Sequence, residues 1–286
     1  MANLKEIRNR ISSIGSTMKI TSAMKMVSAA KLKKAQDAIV AMRPYANKLT
    51  ELLQNLSATL EAEDGGILTE QREVNKVLLV AITSNRGLCG GFNSAVIKGT
   101  RNIIETKYAG KEVRVLTIGK KGNDLLAKDF AIYSNKSEIF DDLTFENVAA
   151  IAEDLMFQFT NGKFDKIEIV YNQFKNAATQ ILTQEQFLPI LPPDTENVTN
   201  ADYIFEPSKA EIVEGLIPKS LKTQLFKAIR DSYASEHGAR MTAMHKATDN
   251  ATELRDDLLL IYNKARQAAI TNEILEIVGG AEALKG

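Results

Sequence analysis

Apolar residues return at alternating steps of three and four through the first 60 residues: Leu4, Ile7, Ile11, Ile14, Met18, Thr21, Lys25, Ser28, Leu32, Ala35, Ile39, Met42, Ala46, Leu49, Leu53, Leu56 and Leu60. Fourteen of these seventeen positions are apolar. A helix has about 3.6 residues per turn, so a stripe of period 3.5 held over this length faces one partner only if the helix winds left-handedly around it. The pattern predicts a coiled-coil seam, not a helix lying on an ordinary globular core. At about 1.5 Å per residue the helix would be roughly 85 Å long. Pro44 removes one backbone donor inside it, and a kink or a break is expected there.

The other end of the chain repeats the pattern. Beyond Pro218 there is no proline, and Met244, Ala247, Ala251, Leu254, Leu258, Ile261, Ala265, Ala268, Asn272 and Leu275 recur by three and four, nine of the ten being apolar or small. Two half-seams at opposite ends of one chain pair most simply with each other, as an antiparallel intramolecular coiled coil. The alternative is that each helix packs separately on a globular domain. Ala265 and Ala268 would let two backbones approach closely.

Between the helices the pattern changes to alternating strands and helices. Val77 to Thr83, Val113 to Ile118 and Ile167 to Tyr171 read as strands, Ser94 to Tyr108 and Phe145 to Phe159 as helices, an order that implies a parallel α/β sheet. A further strand pair, Gln180 to Leu188 and Tyr203 to Phe205, extends it across the Pro192-Pro193 loop. The expected fold class is α/β, with a Rossmann-like domain at 73–207 inserted into an antiparallel coiled coil of residues 1–60 and 208–286.

The first strand runs into a glycine-rich loop, Thr83-Ser84-Asn85-Arg86-Gly87-Leu88-Cys89-Gly90-Gly91-Phe92-Asn93. Such a strand-to-helix turn can cradle phosphate through backbone amides. It lacks the G-x-G-x-x-G spacing, however, and Gly119-Lys120-Lys121-Gly122 is too short for a P-loop. Glycines that permit positive φ in a tight turn are the simpler reading. No cofactor and no catalytic site are expected. His237 and His245 are eight apart, without the i, i+4 pairing of a helical zinc site, and are expected on a solvated or partner-facing surface. Cys89, the single cysteine, reads as a small buried residue and excludes an intramolecular disulfide. Asp141-Asp142 and Asp256-Asp257 are neighbours along the chain whose side chains diverge, so neither pair is an acid/base dyad.

The 36 basic and 36 acidic residues cancel, but unevenly. Residues 1–48 carry ten Lys/Arg against two acids, a net +8, residues 49–207 carry 15 against 23, a net −8, and residues 208–286 balance at 11 and 11. The basic segment expects an acidic partner, whether a protein loop, a nucleic acid or an anionic lipid. It lacks the interleaved aromatics on which bases stack, which disfavours nucleic acid. Met1 to Arg10 has neither the apolar core of a signal peptide nor the composition of a transit peptide, so neither export nor import is expected. The longest apolar run, Val77 to Ile82, is far short of the roughly 20 residues a membrane span needs.

Several stretches together resemble one family. Ile7-Arg8-Asn9-Arg10-Ile11, followed by Met18-Lys19-Ile20-Thr21-Ser22-Ala23-Met24-Lys25-Met26-Val27, resembles the N-terminal helix of ATP synthase gamma subunits. Arg86-Gly87-Leu88-Cys89-Gly90-Gly91-Phe92-Asn93 resembles their central glycine motif, and Ala239-Arg240-Met241-Thr242-Ala243-Met244 their C-terminal helix. Most specific is Ile270-Thr271-Asn272-Glu273, then an acid at Glu276 and Gly280-Ala281. The resemblance touches both ends and the middle of the chain.

It implies a non-catalytic central stalk that rotates inside a ring of alpha and beta subunits and couples proton or sodium flow through a membrane c ring to ATP synthesis on the beta subunits. Its implied partners are the alpha, beta and epsilon subunits and the c-subunit ring. The implied place is the cytoplasmic face of a bacterial inner membrane. By motif position, Met24, Lys25 and Arg86 would meet an acidic loop of the beta subunits, Arg266, Gln267, Thr271 and Glu273 a beta-subunit loop higher in the ring, and Tyr203, Phe205 and Glu206 the c ring. A lone Cys89 cannot form the regulatory cysteine pair of photosynthetic relatives, so no redox gating is expected.

Overall fold

Lys76–Ile82 is apolar at every position after the first lysine and forms a strand covered on both faces, with all six apolar residues buried. In the computed structural model, which describes residues 4–57, 67–190 and 209–283, it is the middle strand of a five-stranded sheet. The elements run α1 (Leu4–Ser57), β1 (Lys76–Ile82), α2 (Phe92–Asn102), β2 (Glu112–Ile118), α3 (Lys120–Leu126), β3 (Ala131–Asn135), α4 (Phe145–Thr160), β4 (Lys166–Phe174), β5 (Gln180–Leu188) and α5 (Lys209–Ala283). The chain forms two compact units, residues 29–240 and residues 1–28 with 241–286.

In the larger unit the strand order is β3-β2-β1-β4-β5. β1 pairs in parallel with β2 and β4, and β2 with β3, while β5 returns antiparallel to β4. The expected parallel sheet is thus mixed at one edge, because β4 and β5 are joined by a short turn that permits only antiparallel return. The strand expected at Tyr203 to Phe205 lies outside the described residues. Period-two alternation divides β1 between two cores. Leu78, Val80 and Ile82 pack with Ile151, Leu155 and Phe159 of α4 and Ile217, Leu221, Leu225 and Ile229 of α5. Val77, Leu79 and Ala81 face the other way, onto Val96 and Ile97 of α2 and Leu126 of α3. Each such aliphatic side chain contributes about 1.5–3 kcal/mol by leaving water.

The helix expected at Ser94 to Tyr108 ends differently. After Asn102 the chain winds one π-turn, Ile103–Lys107, closed by the Tyr108 amide donating to the Ile103 carbonyl at 3.2 Å. The extra residue sets Lys107 on buried Glu168 of β4, with Nζ 2.7 Å from the carboxylate. β3 and α3 were not expected from the sequence; both are short, and β3 is only partly buried, so neither carries a strong pattern.

α1 stays hydrogen-bonded as one helix through Pro44, and α5 likewise through Pro218, so each proline costs a donor without breaking the helix. In the smaller unit, residues 4–28 of α1 lie beside the part of α5 that runs from residue 241 to the turn around Tyr262. Arg8 donates to the Tyr262 hydroxyl at 2.8 Å, Thr252 Oγ1 lies 3.3 Å from Met18 Sδ, and the Thr21 and Thr248 hydroxyls are 2.8 Å apart. Numbers rise on one helix as they fall on the other, so the pairing is antiparallel. On α1 the stripe lies where its spacing predicts: Leu4, Ile11, Ile14, Met18, Thr21 and Lys25 are half-buried and Ile7 and Ser28 buried.

On α5 the period holds but half of the stripe is shifted by one residue. Leu254 and Ile261 are 51% and 49% exposed and Ala268 is exposed, whereas Thr248, Arg255, Tyr262 and Ala269 are half-buried beside Ala251, Leu258 and Ala265. The polar contacts explain the turn. Tyr262 reaches Arg8 by its hydroxyl and its ring face, and Arg255 lies over the Met18 sulfur, so these side chains, not their apolar neighbours, face α1.

The shifted stripe separates two substitutions that the spacing alone would treat alike. Leu258→Asp puts an unpaired charge into the paired face and should destabilise the smaller unit by about 2–4 kcal/mol, while Ile261→Asp should cost under about 1 kcal/mol. Thermal melting of the full chain measures both, and equal losses would place Ile261 in the seam after all.

Candidate functional site

The loop after β1 is built as a self-bracing knot. Thr83 and Ser84 are buried where β1 ends, and the Ser84 amide donates to Asn93 Oδ1 at 2.9 Å. Ser84 Oγ donates to the Arg86 carbonyl at 2.6 Å, and Asn93 Nδ2 lies 3.2 Å from Cys89 Sγ. Cys89 and Phe92 are buried against Ala239 of α5, and Asn172 of β4 donates to the Phe92 carbonyl at 2.9 Å. Leu88 and Gly90 turn the chain through positive φ, 61° and 57°. Gly119, at φ 116°, passes so close beneath Thr83 that a Cβ there would collide with the Thr83 carbonyl.

This loop sits at the border of β1 and β4, where the strand order reverses and open α/β sheets usually bind ligands. α5 fills that place. Arg240 donates from Nη2 to the Arg86 carbonyl at 3.0 Å and from Nε and Nη2 to the Gly87 carbonyl at 3.3 Å, while Nη1 meets Glu236 at 2.6 Å. The loop therefore turns carbonyl oxygens toward a cation, the opposite polarity to a phosphate cradle. Gly238 lets α5 pass close to the turn between β4 and β5: a Cβ would stand 3.1 Å from the Ala177 Cα.

Around Arg240 lies a row of buried polar groups on α5: Asp231, Ser232, Ser235, Glu236 and His237. His237, expected on a solvated or partner-facing surface, is instead only 5% exposed within its own unit, and Tyr233 stacks edge-on to it at 4.5 Å. Burial, with the nearby charges of Arg240 and Lys31, pushes its pKa down to about 3. Burial raises the Glu236 carboxyl above its ordinary value, while Arg240 pulls the other way. The signal for this row is a run of small residues, Ala234, Ser235, Gly238 and Ala239, which marks close packing but does not say which face is inward.

The residues expected to meet partners fall in separate places. Met24 and Lys25 are half-buried on α1, and Arg86 is exposed on the loop. Arg266, Gln267, Thr271 and Glu273 are all exposed near the end of α5, with Thr271 donating to the Gln267 carbonyl at 2.9 Å. Spacings of four and seven put Gln267 beside Thr271 on one side of the helix and Arg266 beside Glu273 on an adjacent one. Tyr203, Phe205 and Glu206 lie outside the described residues. Among the described residues no group of His, Cys, Asp and Glu could hold a metal, and no helix is long and apolar enough to cross a membrane.

Two terminal helices thus pair antiparallel, the chain between them in sequence forms a mixed α/β sheet, and that sheet's ligand crevice is filled by its own helix. The ATP synthase family profile matches residues 3–284. The chain is 74% identical to the ATP synthase gamma chain of Flavobacterium johnsoniae, with all of both chains covered. Among solved structures it is similar to a chain of the Tetrahymena thermophila mitochondrial ATP synthase central stalk and c ring, 26% identical with TM-score 0.59 over 80% of this chain and 99% of that one. A chain of the Euglena gracilis mitochondrial ATP synthase, 22% identical, has the same fold with TM-score 0.71 over 98% and 94%. The chain belongs to the ATP synthase gamma chain family.

The buried His237 has a consequence for acid stability. Its folded pKa lies below the ordinary 6.5, so the unfolded chain takes the proton first. Its contribution to stability is complete above pH 6.5 and is lost as pH falls toward 3. Glu236, raised in the fold, has the opposite sign and begins to offset this only when it too takes up a proton. Melting of the full chain should therefore drop between pH 6.5 and 5, and His237→Gln should flatten that drop. An identical slope in the variant would assign it to other groups.

Proposed function

We propose that this chain is the central stalk of a proton- or sodium-driven rotary ATP synthase, present once per complex, turning inside the alpha and beta ring and coupling ion flow through the c ring to ATP synthesis on the beta subunits. Its partners are the alpha, beta and epsilon subunits and the c-subunit ring, and it works at the cytoplasmic face of a bacterial inner membrane. Residues 1–60 and 208–286 serve as the coiled-coil shaft and residues 73–207 as the foot on the c ring.

One observation carries this reading. The cross-helix contacts on α5 reach Tyr262, opposite Arg8, and beyond them Ile270, Ile274, Leu275, Ile277 and Val278 are 48–70% exposed on a continuing helix. A stripe of this kind needs an apolar covering. A ring of subunits supplies one that is weakly directional, so the helix can turn against it without breaking hydrogen bonds at each step. Met24, Lys25 and Arg86 meet an acidic beta-subunit loop; Arg266, Gln267, Thr271 and Glu273 meet another nearer the tip; and Tyr203, Phe205 and Glu206 meet the c ring.

The mechanism follows from asymmetry. One shaft touches three chemically identical sites from three different sides, so its contact free energy differs among them and each site is held in a different state. Turning the shaft exchanges the states, and nucleotide affinity follows the angle. The shaft contributes no transition-state contact of its own.

Co-purification of one copy of this chain with alpha and beta subunits is the direct check. Deleting the residues after Glu276 should leave the paired helices folded and ring hydrolysis partly active, with assembly weakened by the lost apolar burial at about 25 cal/mol per Å². A truncated chain that assembled normally but abolished all nucleotide turnover would make the tail a catalytic element and end the stalk reading. Lys25→Glu should lower the ratio of coupled synthesis to hydrolysis more than it lowers turnover, because a screened charge at a moving contact shifts the relative energy of shaft angles. Loss of ATP binding by the assembled complex would contradict this.

A further inference from the structure

We propose that Arg240 is a positioning residue for the partner contact of Arg86: its guanidinium, neutralised by Glu236, holds the Arg86 and Gly87 carbonyls and so fixes where the exposed Arg86 side chain stands toward an acidic loop of the beta subunits. The inference rests on the reading above that Arg86 makes that contact.

The loop needs an external anchor. It turns at Leu88, a non-glycine residue at φ 61°, a conformation that persists only when the surroundings over-determine it. Its own ties, Ser84 with Asn93 and Asn93 with Cys89, brace the two stems. At the apex, Arg86 and Leu88 are exposed and the Gly87 carbonyl is held by Arg240. Ser84 Oγ shares the Arg86 carbonyl with Arg240 but does not reach Gly87.

Arginine suits this place for geometric reasons. All three of its side-chain nitrogens have acceptors: Nε and Nη2 the two loop carbonyls, Nη1 the Glu236 carboxylate and His237 Nδ1. The side chains of Arg240 and Glu236 are each 9% exposed, so the pair is shielded and its orientation is rigid. A lysine would keep the charge opposite Glu236 but, as a compact ammonium on a flexible stem, could not span two carbonyls and a carboxylate at once. Glu236 also cancels a cation that would otherwise stand, buried, beside Arg86 and Lys31. The clamp thus presents Arg86 without repelling it.

The test uses the assembled complex with Arg86→Ala, Arg240→Lys and the double variant, reading the ratio of coupled ATP synthesis to hydrolysis. Arg240→Lys should lower that ratio roughly two- to tenfold in the parent and leave it unchanged in the Arg86→Ala background, because a residue acting through Arg86 has nothing left to position. Additive losses would show that Arg240 is only structural and overturn the proposal. An Arg86→Ala complex with a normal ratio would instead remove the contact on which both readings rest, a distinct failure. A second readout does not need assembly: a nitroxide on Leu88→Cys in the full chain, with Cys89→Ser, should gain mobility when Arg240 becomes lysine. Unchanged mobility of that label would also overturn the clamp.

Discussion

Because the first and last helices bury their stripes against each other, the two ends of the chain are tied and everything between them must leave and re-enter one paired element. The pairing is not a purely apolar seam. Its contacts include Arg8 on Tyr262, Thr21 with Thr248 and Met18 with Thr252 and Arg255, so register is fixed by directional groups as well as by apolar area. Apolar stripes alone tolerate sliding by a heptad; polar partners at single places do not. For a helix pair that has to transmit a twist, a unique register is what turns rotation at one level into rotation at another.

The larger unit solves a different problem with the same helix. A sheet of order β3-β2-β1-β4-β5 leaves a crevice at the β1/β4 border, the usual place for a nucleotide. Here α5 lies in it, with Ala239 on Cys89 and Phe92 and a guanidinium on the loop carbonyls. A fold widely used to bind nucleotides thereby has its crevice closed by its own helix, and the glycine loop carries Arg86 and Leu88 exposed at its apex. The polar row along α5 is costly to bury, which is why Arg240 is paired with Glu236 and His237 is held neutral.

Much of this was legible in the residues. The 3.5 period marked both terminal helices, the unbroken apolar run marked β1 as a doubly covered strand, and the stretch from Arg86 to Asn93 with Ile270 to Ala281 carried the family. β3 and α3 were not legible, since five to seven residues of mixed burial carry too little pattern to separate from loop. The antiparallel return of β5 was not either, because strand direction is set by pairing and connection, not by composition.

Two features belong to the tertiary structure alone. The spacing on α5 nominates Leu254, Ile261 and Ala268, yet Thr248, Arg255, Tyr262 and Ala269 face inward, because a repeat defines a period but its phase is chosen by what lies opposite. Likewise His237, expected on a solvated or partner-facing surface, is buried with Arg240 where the sheet and the glycine loop close over α5. Local pattern along a chain determines which elements form; the direction in which each element turns its side chains depends on contacts between residues more than 150 positions apart, as between Arg86 and Arg240.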